Sequence, residues 1–122
     1  MVQNPWYVIE YTDEDTYCAG KFMYNDDLSL QVDYVDDGEK KIFNGTYSID
    51  ENGSVTIVHH GKRDVDTIMS NEDGVLTIET KAYDEDTGEF LHTMDNKYFA
   101  NYDDMIDFGN LRGVDCSQEI PK

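Results

Sequence analysis

Positive charge is what this sequence has least of: nine Lys and Arg residues stand against 27 Asp and Glu, for a formal net charge of −18. Binding a nucleic-acid backbone or an anionic membrane surface requires a basic footprint, so both partner classes are excluded. Long apolar runs are missing too, and no stretch approaches the roughly 20 residues of a membrane-spanning helix. Cysteine occurs only at Cys18 and Cys116, too few for the disulfide framework of a small secreted scaffold. The two either pair, tying the C-terminal tail to an early strand, or stay reduced, and both alternatives remain open. Cys-x-x-Cys, H-E-x-x-H and Gly-rich phosphate loops are absent. His59 and His60 alternate sides of a strand end and His92 is remote, so no metal site and no cofactor is expected. Acidic stretches such as "DEDTGE" and "DENGS" lack the spacing of an EF-hand calcium loop. Among 27 carboxylates none is singled out as a general acid–base pair, and a non-enzymatic protein is expected.

Aromatic residues, by contrast, are plentiful: nine Tyr, five Phe and one Trp. Disordered chains of high net charge lack such residues, so the chain reads as a folded domain spanning 1–122 with a charged skin. No linker or repeat interrupts it. Period-two alternation dominates. In "LSLQVDY", Leu28, Leu30, Val32 and Tyr34 share one face, and in "FNGTYSI" Phe43, Gly45, Tyr47 and Ile49 do the same. One packed and one solvated face marks an antiparallel sheet. Strands are expected near 6–12, 17–24, 28–35, 40–49, 55–60, 65–70, 75–83 and 90–100, separated by Asp-Gly, Asn-Gly and acidic turn sequences. The fold class is therefore all-β: an antiparallel up-and-down meander of about eight strands forming a small barrel or sandwich. "NYDDMIDFG" adds one short C-terminal helix, with Tyr102, Met105 and Ile106 at helical spacing and Gly109 as its stop. The sequons at Asn44 and Asn52 are read as Asn-Gly turn dipeptides rather than glycan sites.

The acidic residues gather in the bends. In a strict meander, successive turns alternate between the two ends, so Asp13, Glu14, Asp15, Asp36, Asp37, Glu39, Asp64, Asp66, Asp84, Glu85, Asp86 and Glu89 would share one rim. The opposite rim receives fewer, from 26–27, 50–51 and 72–73. A dozen clustered carboxylates approach the charge density of duplex DNA. They favour a protein that blocks a basic partner such as a nuclease or other nucleic-acid-binding protein, as a DNA mimic, an anti-defence protein or a toxin-immunity protein would. Met1 leads into "VQNPWYVIEY" without a basic region or long apolar run, so no secretory leader is read and a cytoplasmic site is expected. Pairing of Cys18 with Cys116 would instead indicate secretion.

"NPWYVIEY" resembles the opening of the lipocalins, where Gly-x-Trp begins the first strand; Trp6 matches and Asn4 replaces the Gly. "TMDNKYFANY" is similar to the family's Thr-Asp-Tyr motif through Thr93, Asp95 and Tyr98, with insertions. Arg112 stands where the family has a late Arg, and Cys116 matches its C-terminal Cys. The resemblance implies a rival function: a small apolar ligand carried in a barrel, ringed by Trp6, Leu30, Tyr34, Tyr47 and Ile57. The same side chains would otherwise simply fill a small barrel. The chain leaves little room for a long helix on the barrel wall.

Overall fold

The computed structural model describes residues 5–59 and 61–122. Asn4, at the position of the lipocalin Gly, and His60, of the "VHHGKR" island, lie outside the described residues. Eight strands follow one another: β1 (Trp6–Tyr11), β2 (Thr16–Tyr24), β3 (Ser29–Asp36), β4 (Glu39–Ile49), β5 (Val55–His59), β6 (Lys62–Glu72), β7 (Val75–Asp84) and β8 (Phe90–Phe99). Each pairs antiparallel with the next, and β1 also pairs with β8, closing a barrel rather than a sandwich. Closure leaves no edge strand exposed. After β8 come the helix α1 (Tyr102–Leu111) and a single 3-10 turn, Cys116–Gln118.

Turn chemistry accounts for the connections. Asp37-Gly38 and Asp73-Gly74 join β3 to β4 and β6 to β7 with positive φ at both central residues, which a type I′ hairpin turn requires. Asn52-Gly53 sits instead in a longer loop, where the Asp50 carboxylate accepts from the Asn52 and Ser54 amides at 2.8 and 3.0 Å. Asn44-Gly45 is no turn at all; it lies inside β4. The Phe43 ring covers Gly45, and a Cβ there would come within 2.8 Å of it. The chain turns from β5 to β6 through Gly61, so β6 begins at Lys62, earlier than the expected 65. That tight bend corrects the placing of Asp64 and Asp66 in a turn: both belong to a strand.

Two cores result. Inside the barrel, Trp6, Val8, Tyr24, Leu30, Val32, Tyr47, Val55, Ile57, Leu76, Ile78 and Tyr98 pack together. Outside it, Tyr7, Ile9 and Phe99 pack against Met105 of α1 and against Cys116 and Ile120 of the tail. The first strand, "WYVIEY", is therefore apolar on both faces over its first four residues, all buried. α1 is capped by Asn101, whose side chain accepts from the Asp104 amide at 3.1 Å, and Asp103 and Asp104 complement its first turn. The helix runs through Gly109 rather than stopping there. Gly109 is buried at the contact with the tail, where a Cβ would meet the Val114 carbonyl at 3.1 Å and the Cys116 Sγ at 3.3 Å.

Cys18 of β2 and Cys116 form a disulfide with Cα atoms 5.5 Å apart, closing a sequence separation of 98. A cross-link across roughly 100 residues contributes about 4–5 kcal/mol in chain-entropy terms. Replacing both cysteines by Ser should lower Tm by roughly 10–20 °C. Differential scanning calorimetry of the two proteins measures this, and an unchanged Tm would refute it.

Candidate functional site

The barrel is hollow towards one end. A cavity of about 210 Å³ is lined by Val8, Ala19, Phe22, Leu30, Val32, Tyr34, Phe43 and Ile57 together with Glu10, His59, Asp64, Asp66, Thr80, Asn96 and Tyr98. Strand direction places it. Trp6 begins β1 and Tyr24 ends β2, and with Tyr47, Val55 and Leu76 they are buried towards the end that carries the β2–β3, β4–β5 and β6–β7 turns. The Tyr24 and Tyr47 rings meet edge to face at 5.0 Å, and the Tyr47 hydroxyl donates to the Asn25 carbonyl at 2.7 Å. This end is plugged. At the other end Glu10, Tyr34, Phe43, His59 and Asp64 are only half-buried, so the cavity opens between the β1–β2, β3–β4, β5–β6 and β7–β8 turns.

Polar groups form one side of the cavity. Asp66, 3% exposed, accepts from the Thr80 hydroxyl at 2.6 Å, and Thr80 in turn accepts from the Asn96 amide at 2.5 Å. The Tyr98 hydroxyl reaches Asp66 at 3.4 Å and Tyr24 at 2.8 Å. Burial pushes the Asp66 carboxyl up to about 7; the Thr80 hydrogen bond opposes the rise, and the nearby Asp64 and Glu10 charges add to it. Burial likewise raises Glu10, helped by Asp64 and opposed by His59 and Lys62. His59 and Asp64 are paired at 2.5 Å, and that hydrogen bond raises the imidazole above its ordinary value against the effect of burial. Tyr24 and Tyr98, buried and near Asp66, are pushed well above the normal phenol range.

Of the residues expected to ring a ligand, Leu30, Tyr34 and Ile57 line the cavity, whereas Trp6 and Tyr47 belong to its plug. Trp6 packs against Tyr98 at 6.2 Å between ring centroids. Of the twelve acidic residues expected on one rim, Asp13, Glu14, Asp15, Asp36, Asp37, Glu39, Asp84, Glu85, Asp86 and Glu89 do lie at or beside the turns of a single end, the open one. Asp64 and Asp66 do not; they face inwards. Arg112 packs over the Tyr11 ring at 4.8 Å and donates to the Thr12 carbonyl at 2.7 Å, fastening the end of α1 to the first turn. Thr93 and Asp95 are exposed on β8. Glu10, Thr80 and Asn96 escaped the sequence reading, and His59 entered it only as a candidate metal ligand. The available signal was alternation itself, since Glu10 follows Trp6 and Val8, and His59 follows Val55 and Ile57, at period two.

The fold is similar to that of bovine odorant-binding protein solved in complex with its natural ligand, at 16% identity, with 94% of this chain and 84% of that chain covered and a TM-score of 0.50. A deswapped triple mutant of the bovine protein matches at 16% identity, covering 95% and 89% of the two chains with a TM-score of 0.46. Its complex with undecanal matches at 16% identity, covering 92% and 83%, with a TM-score of 0.45. No protein-family model and no curated protein matches the sequence. The likeness is one of fold, and it agrees with the lipocalin resemblance of the opening strand. It overturns the expectation of a DNA-mimic, anti-defence or immunity-type inhibitor of a basic protein. The acidic turns are carried on a closed barrel that is hollow, and two of the twelve acids line the cavity within it. Nor does the expected cytoplasmic site find support, because the cysteines pair.

Asp66 sets a pH dependence whose sign follows from its folded-state value lying above the ordinary 3.8. Between those values the folded chain holds a proton that the unfolded chain releases. Stability is therefore lost as pH rises from about 4 through 7, at about 1.4 kcal/mol per unit of separation. Asp66→Asn keeps an acceptor for Thr80 and removes the charge. Urea titrations should find the variant more stable than the parent at pH 8 by a few kcal/mol, with the gap closing towards pH 4; a gap independent of pH would contradict this.

Proposed function

We propose that this protein is a carrier that holds one small, largely apolar molecule inside the barrel. The cavity carries the reading: a closed sheet whose inward side chains leave about 210 Å³ unfilled at an open end. A dry apolar cavity of about 150 Å³ accommodates benzene, so this volume suits a single ring with a short tail. Phe22, Leu30, Val32, Phe43 and Ile57 supply the apolar wall, and burying a ligand's apolar surface against them contributes about 25 cal/mol per Å². The fold shared with an odorant-binding protein solved with its natural ligand supports the same reading. The disulfide supports a secreted or otherwise oxidising setting, where such a cross-link persists.

Ala19, half-buried and lining the cavity, provides the test. Isothermal titration with 2-phenylethanol should show one site per chain. Ala19→Phe, which places a ring in the same space, should weaken that binding by about ten-fold or more while circular dichroism and Tm stay close to the parent's. Absence of binding to the parent chain by small ring compounds, charged or neutral, would overturn the carrier reading.

A further inference from the structure

The cavity wall is chemically lopsided. Carboxyl groups of Glu10, Asp64 and Asp66 line it; among the described residues His59, already engaged by Asp64, is the sole cation-forming side chain that does so, and no Lys or Arg takes part. Among the described residues, the Glu10 carboxylate makes no hydrogen bond or ion pair. A second observation, independent of the acids, points the same way. Asn96 is 4% exposed and lines the cavity, yet its carboxamide oxygen has no hydrogen-bond partner among the described residues, an acceptor that folding alone leaves costly.

We propose that the molecule carried here bears a protonated amine on its apolar body. This rests on the carrier reading and specifies its ligand. An ammonium group has three donors and no acceptor, the complement of a wall that presents Glu10, Asp66 and the Asn96 oxygen. Phe22, Phe43 and Ile57 would hold the ring or chain of the same molecule. A fatty-acid carboxylate or a phosphate would meet like charge on the same wall. The open end adds to the selection. The acidic turns at 12–15, 36–39 and 84–89 surround it, and a concentration of one sign of charge at a low-dielectric opening draws in ions of the other sign. The crowding of acid at one end of the sheet thereby acquires a use that a merely solvated surface would not require.

Three probes of one skeleton test this by isothermal titration at pH 7.5 and low salt: 2-phenylethylamine (cationic), 2-phenylethanol (neutral) and phenylacetate (anionic). The amine should bind about ten-fold or more tighter than the alcohol, phenylacetate weakest. Raising NaCl to 0.5 M should erode the advantage of the amine and spare the alcohol. Glu10→Gln, at the half-exposed end of the site, and Asp66→Asn should each shrink the amine-to-alcohol affinity ratio several-fold. Glu10→Gln leaves the buried hydrogen-bond chain intact, so it reports even where Asp66→Asn alters folding. An alcohol that binds as tightly as the amine, or an anion that binds best, overturns the amine assignment and leaves the carrier reading standing. Failure of all three probes defeats both.

Discussion

The hydrogen-bonded seam between β1 and β8 is the constraint on which everything else rests. Five residue pairs, from Tyr7 opposite Phe99 to Tyr11 opposite Asp95, turn a meander into a closed wall. Without the seam there would be two free edges and no interior; with it, alternate residues of every strand are forced into one shared space. β1 shows the consequence most sharply. Trp6 and Val8 enter the barrel core, while Tyr7 and Ile9 enter the outer core beneath α1. A strand buried on both sides has to be apolar almost throughout.

Much of this was legible in the one-dimensional pattern, because alternation and Asp-Gly turns report local geometry directly. Leu30, Val32 and Tyr34 fall on the inner face as their period demands, and Asp37-Gly38 and Asp73-Gly74 turn where their dipeptides say. The failures have a common physical cause. Alternation tells which residues share a face and not which face is inside; polarity normally supplies that answer, and here the inside is itself partly polar. Asp64 and Asp66 looked like turn residues because acids elsewhere in the chain are turn residues. A bend tightened at Gly61 moved them into β6 and turned them inwards. Gly45 and Gly109 resembled punctuation, yet each serves close packing, one under the Phe43 ring and the other against Cys116. The pairing of Cys18 and Cys116 is a fact of three dimensions, fixed by a tail that crosses back to β2.

A barrel optimised only for stability would not be built this way. Asp66 is held in a site that raises its carboxyl to about 7, and the Asn96 oxygen and the Trp6 Nε1 are buried without partners among the described residues. Such groups oppose folding, and in natural proteins departures of this kind concentrate where a molecule has something to do. The Trp6 nitrogen lies in the plug, away from the cavity lining, and no ligand role attaches to it. The polar side of the cavity is different: its members arrive from β1, β5, β6, β7 and β8 and converge on one volume. The plugged end, with its Tyr24, Tyr47 and Tyr98 rings, supplies the rigidity against which that convergence is held.

The covalent tie between Cys18 and Cys116 has an uneven reach. What it secures lies wholly on the exterior of the wall: α1, the tail, and the Val35 amide bonded to the Glu119 carbonyl at 2.9 Å. With the bond cut, noncovalent packing alone would hold the tail and α1 over the stripe formed by Tyr7, Ile9 and Phe99. A bare greasy stripe makes molecules stick to one another. Reducing surroundings would thus weaken the cover that keeps the barrel from being adhesive.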